Sequence, residues 1–207
     1  MPTMNESSYF LPVNKVEAER LMMQHTVLID ALGGRLVCAP IDLSKPGLKI
    51  LDSGTADDTS FYIHNISKPW PETELGTFDL VHQRLTLPGG APTPLATIVR
   101  QLFDLVKPGG WIQLVEAEQT GPDAGSVFHE FLGLVRALFD ATGAGWHYAD
   151  NLKQWLEDAG AVDVHDMTVN MGFGKKNENP DLAAGSARCT AQAMEGLVMH
   201  AKSMDAT

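Results

Sequence analysis

Leu48-Lys49-Ile50-Leu51-Asp52-Ser53-Gly54-Thr55-Ala56-Asp57-Asp58 is the stretch whose reading decides the fold. A short apolar run, Ile50-Leu51, ends in Asp52 and Gly54, which is how a buried parallel strand enters a ligand-holding loop. The same letters also mark an ordinary turn. A nucleotide-type loop wants small residues where the backbone nears its ligand, and Ala56 and Asp58 stand where further glycines would serve. Only Thr59 and Ser60 then precede Phe61–Ile66, which reads as a strand, so no crossover helix fits between the two runs.

Downstream, Phe78-Asp79-Leu80-Val81-His82 is another short apolar run. After Thr93-Pro94, residues Leu95, Ile98, Val99, Leu102, Phe103 and Val106 recur at helical period. Lys107-Pro108-Gly109-Gly110 is expected to stop that helix, and Trp111–Val115 to form the next buried strand, ending at Glu116. Strand, helix and strand with tight connections predict a right-handed parallel crossover, hence an α/β fold.

Upstream, Asn14 and Glu17 have capping-box spacing ahead of a helix carrying Val16, Leu21, Val27, Leu28, Ala31 and Leu32, closed by Gly33-Gly34. This helix is expected over the sheet edge or as the roof of a site. Towards the other end, helices are predicted over 126–142, around Leu152–Ala159 and over 182–204, and the alternation Val162, Val164 suggests a strand. The expected organisation is an N-terminal helical cap, 1–45, and an α/β domain, 46–207.

The chain has 207 residues, 44% hydrophobic and 20% charged, which suits a globular protein with a sizeable core. Its net charge of −11, with no basic block, argues against nucleic acid and anionic membrane as partners. Cys38 and Cys189 lie far apart, no signal or membrane-spanning run is evident, and a cytoplasmic protein is expected. No His-Glu-x-x-His, paired Cys-x-x-Cys, Gly-x-Ser-x-Gly or Gly-Lys-Ser/Thr motif occurs, so no metal, triad or phosphate-loop chemistry is expected. His82 and Glu116 each end a predicted parallel strand, where open α/β sheets place ligands; these are the candidate catalytic residues, and serving the fold is the alternative for both.

Several runs together carry a family resemblance: Tyr9-Phe10-Leu11-Pro12, Lys49-Ile50-Leu51-Asp52-Ser53-Gly54-Thr55, Ser67-Lys68-Pro69-Trp70-Pro71, Phe78-Asp79-Leu80-Val81-His82-Gln83-Arg84 and Leu105-Val106-Lys107-Pro108-Gly109-Gly110-Trp111. In this order they resemble the class I S-adenosylmethionine-dependent methyltransferases of fungal secondary metabolism, the regulator and UMTA-like group. The resemblance implies a Rossmann-like sheet and S-adenosylmethionine as cofactor. It places Asp52, Gly54 and Ala56 at the methionine end, with Asn65 and Ile66 at the adenine. It also implies a helix, a second strand whose terminal acid binds the ribose, and another helix before Ser67, and further strands after the last helix. This sequence lacks them, which predicts an internally shortened and C-terminally truncated sheet that binds the cofactor weakly.

Three functions are therefore weighed. One is methyl transfer to a small-molecule secondary metabolite. The second is a methyltransferase fold repurposed as a cofactor-independent cyclase or pericyclase. The third is a non-catalytic partner subunit. Edges left unpaired by the missing strands predict a homodimer or heteromer.

Overall fold

The computed structural model describes residues 14–53, 64–118 and 126–204. The chain clusters into two compact units, one built from 1–8 and 37–166, the other from 9–36 and 167–207.

The first unit is organised on three parallel strands in the order β1 (Ile50–Ser53), β2 (Phe78–Arg84), β3 (Val106–Val115). Register pairs Leu51 with Val81 and Asp52 with His82, while His82 faces Gln113 on β3. Because side chains alternate along a strand, two sets emerge. Leu51, Val81, Ile112 and Leu114 join the apolar core, whereas Asp52, His82, Arg84 and Gln113 fall in the other set. On that second face Gln113 Oε1 accepts from the backbone N–H groups of Cys38 and Ala39 at 2.7 and 3.1 Å, so the chain at 38–39, ahead of β1, is tied to β3.

Helix α2 (Leu95–Phe103) buries Leu95, Ile98, Val99 and Leu102 in the core with Phe78, Leu87, Leu105 and Tyr148. The helix is shorter than its apolar period predicts: it ends at Phe103, and Val106 opens β3. The reason is non-local. Thr77 and Phe78 N–H groups bond to the Leu105 carbonyl, which draws the chain into the sheet before the helical pattern is exhausted. Lys107–Gly110 does not stop a helix but forms an irregularity within β3, between the pairs Phe78–Val106 and Leu80–Trp111. Gly109 takes φ +79°, and a Cβ on Gly110 would meet the Asp79 carbonyl at 3.0 Å, so this excursion needs both glycines.

Helices α3 (Ser126–Thr142) and α4 (Leu152–Asp158) follow as predicted. Two expected strands do not. His64–Ile66 form no strand; Asn65 starts a turn closed by Lys68 N–H to its carbonyl, and Phe61–Ile63 lie outside the described residues. Val162 and Val164 are not in a strand either, and Val162 is 82% exposed. Alternation alone does not make a strand where no neighbouring ladder receives its N–H and C=O groups.

In the second unit, α1 (Lys15–Ala31) packs on α5 (Pro180–Met204). The expected cap thus finds its described packing against the last helix. Asn14 Oδ1 caps α1 by accepting from Glu17 N–H at 3.0 Å, and the Glu17 carboxylate accepts from Arg20 Nε and Nη2 at 2.8 and 2.7 Å. Val16, assigned to the apolar stripe, is 53% exposed, and the buried positions are Glu17, Arg20, Val27 and Leu28. At Gly185 on α5 a Cβ would meet the thioether end of Met23 on α1, so a larger residue there would oblige that side chain to move.

Candidate functional site

The carboxyl ends of the three strands gather two polar clusters. The first is made by register: β1 and β2 run parallel with Asp52 opposite His82, and His82 Nδ1 lies 2.9 Å from Asp52 Oδ1. Arg84, two residues on and on the same face, brings its guanidinium to 3.7 Å from Asp52 Oδ2. His82 is 2% exposed, and its Nε2 is buried with no hydrogen-bond partner among the described residues.

The second cluster centres on Glu116, just beyond β3. Its Oε1 accepts from Leu87 N–H at 3.0 Å and Thr86 N–H at 3.3 Å, with Gln83 Nε2 at 3.4 Å, and its Oε2 accepts from Tyr148 Oη at 2.7 Å. Burial pushes the Glu116 carboxyl up to about 7, against the pull of the Tyr148 hydroxyl and the two backbone donors. Burial, reinforced by the Glu116 charge, also raises Tyr148, which stays a phenol donor. The loop these bonds hold is strained at Leu85, a non-glycine residue at φ +53° immediately after β2.

The residues singled out from sequence are brought together only in part. Asp52 and His82 are in contact, and Glu116 ends the strand next to His82. Glu116, however, is bonded to Gln83 and Tyr148, not to the Asp52–His82 pair. Asn65 lies in its own turn, its Oδ1 accepting from Ser67 N–H at 3.0 Å and Ser67 Oγ at 2.8 Å. Ile66 packs at Gly90, where a Cβ would come within 3.3 Å of Ile66 Cγ1 and 2.2 Å of Ile98 Cδ1. Gly54 and Ala56 lie outside the described residues. Sequence reasoning missed Tyr148, Gln83 and Arg84. Of these, Gln83 and Arg84 follow His82 in an unbroken polar run at the end of an apolar strand, a legible signal; Tyr148 carries none. Among the described residues, no group of three His, Cys, Asp or Glu is placed to hold a metal ion.

The clusters sit where open parallel sheets take their ligands. The chain is 37% identical to N-methyltransferase sirN of Leptosphaeria maculans over 216 aligned residues, covering 86% of this chain and 75% of that protein. The chain belongs to a family of fungal methyltransferases. Methyltransferase psoC of Aspergillus fumigatus is also 37% identical, over 77% of this chain and 71% of its own length. N-methyltransferase tcpN of Claviceps purpurea is 31% identical, over 82% and 74%. No family model and no solved structure matches the chain. Among the described residues no helix is long and apolar enough to cross a membrane.

A methyltransferase family implies S-adenosylmethionine, and the described residues do not fit the nucleoside part of that group. Asn65, the residue read at the adenine, has its side-chain oxygen on Ser67 N–H and Ser67 Oγ, so that oxygen is not turned to an adenine amine. Beyond β1, on the side away from β2, no further strand stands among the described residues to bring another acid.

Proposed function

We propose that this chain is a methyltransferase-like protein that acts on a small molecule of fungal secondary metabolism at a nitrogen nucleophile. The observation that carries the reading is 37% identity to sirN across 75% of that protein. Nitrogen is favoured because sirN, tcpN and gliN are all named N-methyltransferases. Such a reaction asks little of the protein beyond positioning the acceptor and receiving its proton. His82, with its bare Nε2 at the carboxyl end of β2, is the proposed proton acceptor. Glu116 is proposed to shape the acceptor side by holding the Thr86–Leu87 loop, since four donors already occupy its oxygens.

The methyl donor proposed for the family reaction is S-adenosylmethionine, bound weakly by an internally shortened site. Against sirN, 216 positions are aligned while 86% of 207 residues is about 178, so about 38 positions of the alignment face no residue of this chain. The same arithmetic with Methyltransferase grgD of a Penicillium species, 153 positions against 55% of the chain or about 114 residues, leaves about 39. A near-constant deficit in alignments of such different length supports one missing internal segment. Only ten residues, 54–63, separate Ser53 from His64, too few for a helix, a strand and a returning helix. In dinucleotide-binding sheets it is the strand after the first loop that brings the acid to the ribose.

Titration calorimetry with S-adenosylmethionine and S-adenosylhomocysteine, at two protein concentrations and beside sirN, tests the cofactor half of the reading. Loss of a charged ribose contact, about 2–3 kcal/mol, corresponds to roughly 30- to 150-fold weaker binding. Affinity equal to that of sirN and independent of protein concentration would remove the shortened-site proposal. Mass spectrometry of a panel of small amines and amides, incubated with the chain and saturating S-adenosylmethionine, tests the reaction. No methylated product from any of them would sink it.

A further inference from the structure

The sequence resemblance assigns Asp52 to the cofactor; the geometry points to a different task, in that we propose Asp52 as a positioning residue that holds His82 in the tautomer needed to accept a proton from an N–H substrate. The inference rests on the reading of His82 as proton acceptor and adds the residue that makes it one.

An ionised carboxylate can only accept a hydrogen bond, so the 2.9 Å contact between Asp52 Oδ1 and His82 Nδ1 requires the proton on Nδ1. In a neutral imidazole the other nitrogen, Nε2, then carries a lone pair. That atom is buried and has no hydrogen-bond partner among the described residues. A buried polar atom without a hydrogen bond is uncommon in native structures and costs stability, so its retention at the carboxyl end of a parallel strand points to a bond made with a ligand. The group it would take is an N–H donor, as an amine or amide acceptor presents.

The register explains the precision of the contact. Asp52 and His82 are Cα partners across the β1–β2 ladder, and Arg84, on the same face, approaches the other Asp52 oxygen at 3.7 Å. The carboxylate thus faces the ring with one oxygen and the Arg84 guanidinium with the other, which favours the orientation seen. When Nε2 takes the proton of a substrate N–H, the electron pair of that bond stays on the substrate nitrogen. The ring becomes an imidazolium whose charge lies against the Asp52 carboxylate, which keeps its own charge. No other reactant is consumed in this step.

Nitrogen-15 NMR of the histidine rings, with His82→Gln used to assign the signals, reads the tautomer directly. In the wild type the proton is expected on Nδ1 of His82, with Nε2 bare. Asp52→Asn keeps the size of the side chain but offers either a donor or an acceptor, so the Nδ1 preference should be lost. With whichever amine the wild type methylates, Asp52→Asn should lower kcat on the order of 100-fold and leave KM within about threefold, as expected for a general base misdirected while substrate still binds. A wild-type proton on Nε2 overturns the proposal, and that measurement needs no variant to fold. So does an Asp52→Asn ring that keeps its proton on Nδ1, or one that loses the preference with kcat unchanged. Should the wild type methylate nothing, the proposed reaction fails, while the tautomer of the wild type and of the variant still decides what Asp52 does to His82.

Discussion

Replacing Glu116 by Gln should flatten the dependence of stability on pH between about 4.5 and 7. The carboxyl is enclosed with Tyr148, Gln83 and the Thr86–Leu87 backbone, and burial lifts it from 4.5 to about 7 in the folded protein. Because the folded value lies above the unfolded one, the unfolded chain releases this proton first as pH rises. The stabilisation tied to the protonated carboxyl is therefore complete below about 4.5, falls progressively above it and is gone above about 7. A difference of about 2.5 units at 1.36 kcal/mol each amounts to about 3 kcal/mol lost across this window. Glutamine fits the same partners, since its oxygen can accept from Leu87 and Thr86 while its amide donates to the Tyr148 oxygen. Urea unfolding of both proteins at half-unit steps from pH 4.5 to 8 gives the test. The wild type should lose about 3 kcal/mol relative to Glu116→Gln over that range, with the two urea slopes alike. Parallel stability curves would mean that Glu116 ionises like an exposed carboxyl, and the description of its enclosure would be wrong.

In the second unit, Arg20 and Glu17 form a buried pair with bonds of 2.8 and 2.7 Å, so Arg20→Met, which takes the guanidinium from a buried carboxylate, should cost about 3–5 kcal/mol in urea unfolding, and adding Glu17→Gln should recover a large part of it. A loss below about 1 kcal/mol would show that water reaches Glu17. Association is also expected: β1 is an outer strand among those described and Ile50 on it is 41% exposed, so light scattering at tens of micromolar (roughly the range of weak dimers) should report a dimer, and a monomer there would refute the idea.

The family and the reaction class were legible in the sequence because they are carried by short runs, among them the one around Asp52 and the Lys107–Trp111 run, whose identity does not depend on how the chain packs. The candidate site was legible only as strand ends. His82 and Glu116 could be placed at the close of apolar runs, but nothing local joins Asp52 to a ring 30 residues away, or Glu116 to a phenol 32 residues away.

Local periodicity was enough to determine α2, with its four inward positions, and the apolar runs of β1 and β2, since the spacing that makes a helix or a strand is written over a few residues. Tertiary structure decided the rest. Val106 has the right place in the helical pattern and still joins β3, because the Leu105 carbonyl is claimed by Thr77 and Phe78. Val162 and Val164 alternate as a strand does and remain outside the sheet, because no strand among the described residues pairs with them. Asp52 meets His82 through the parallel register of β1 on β2, and register is a property of two strands at once, which neither run of residues specifies alone.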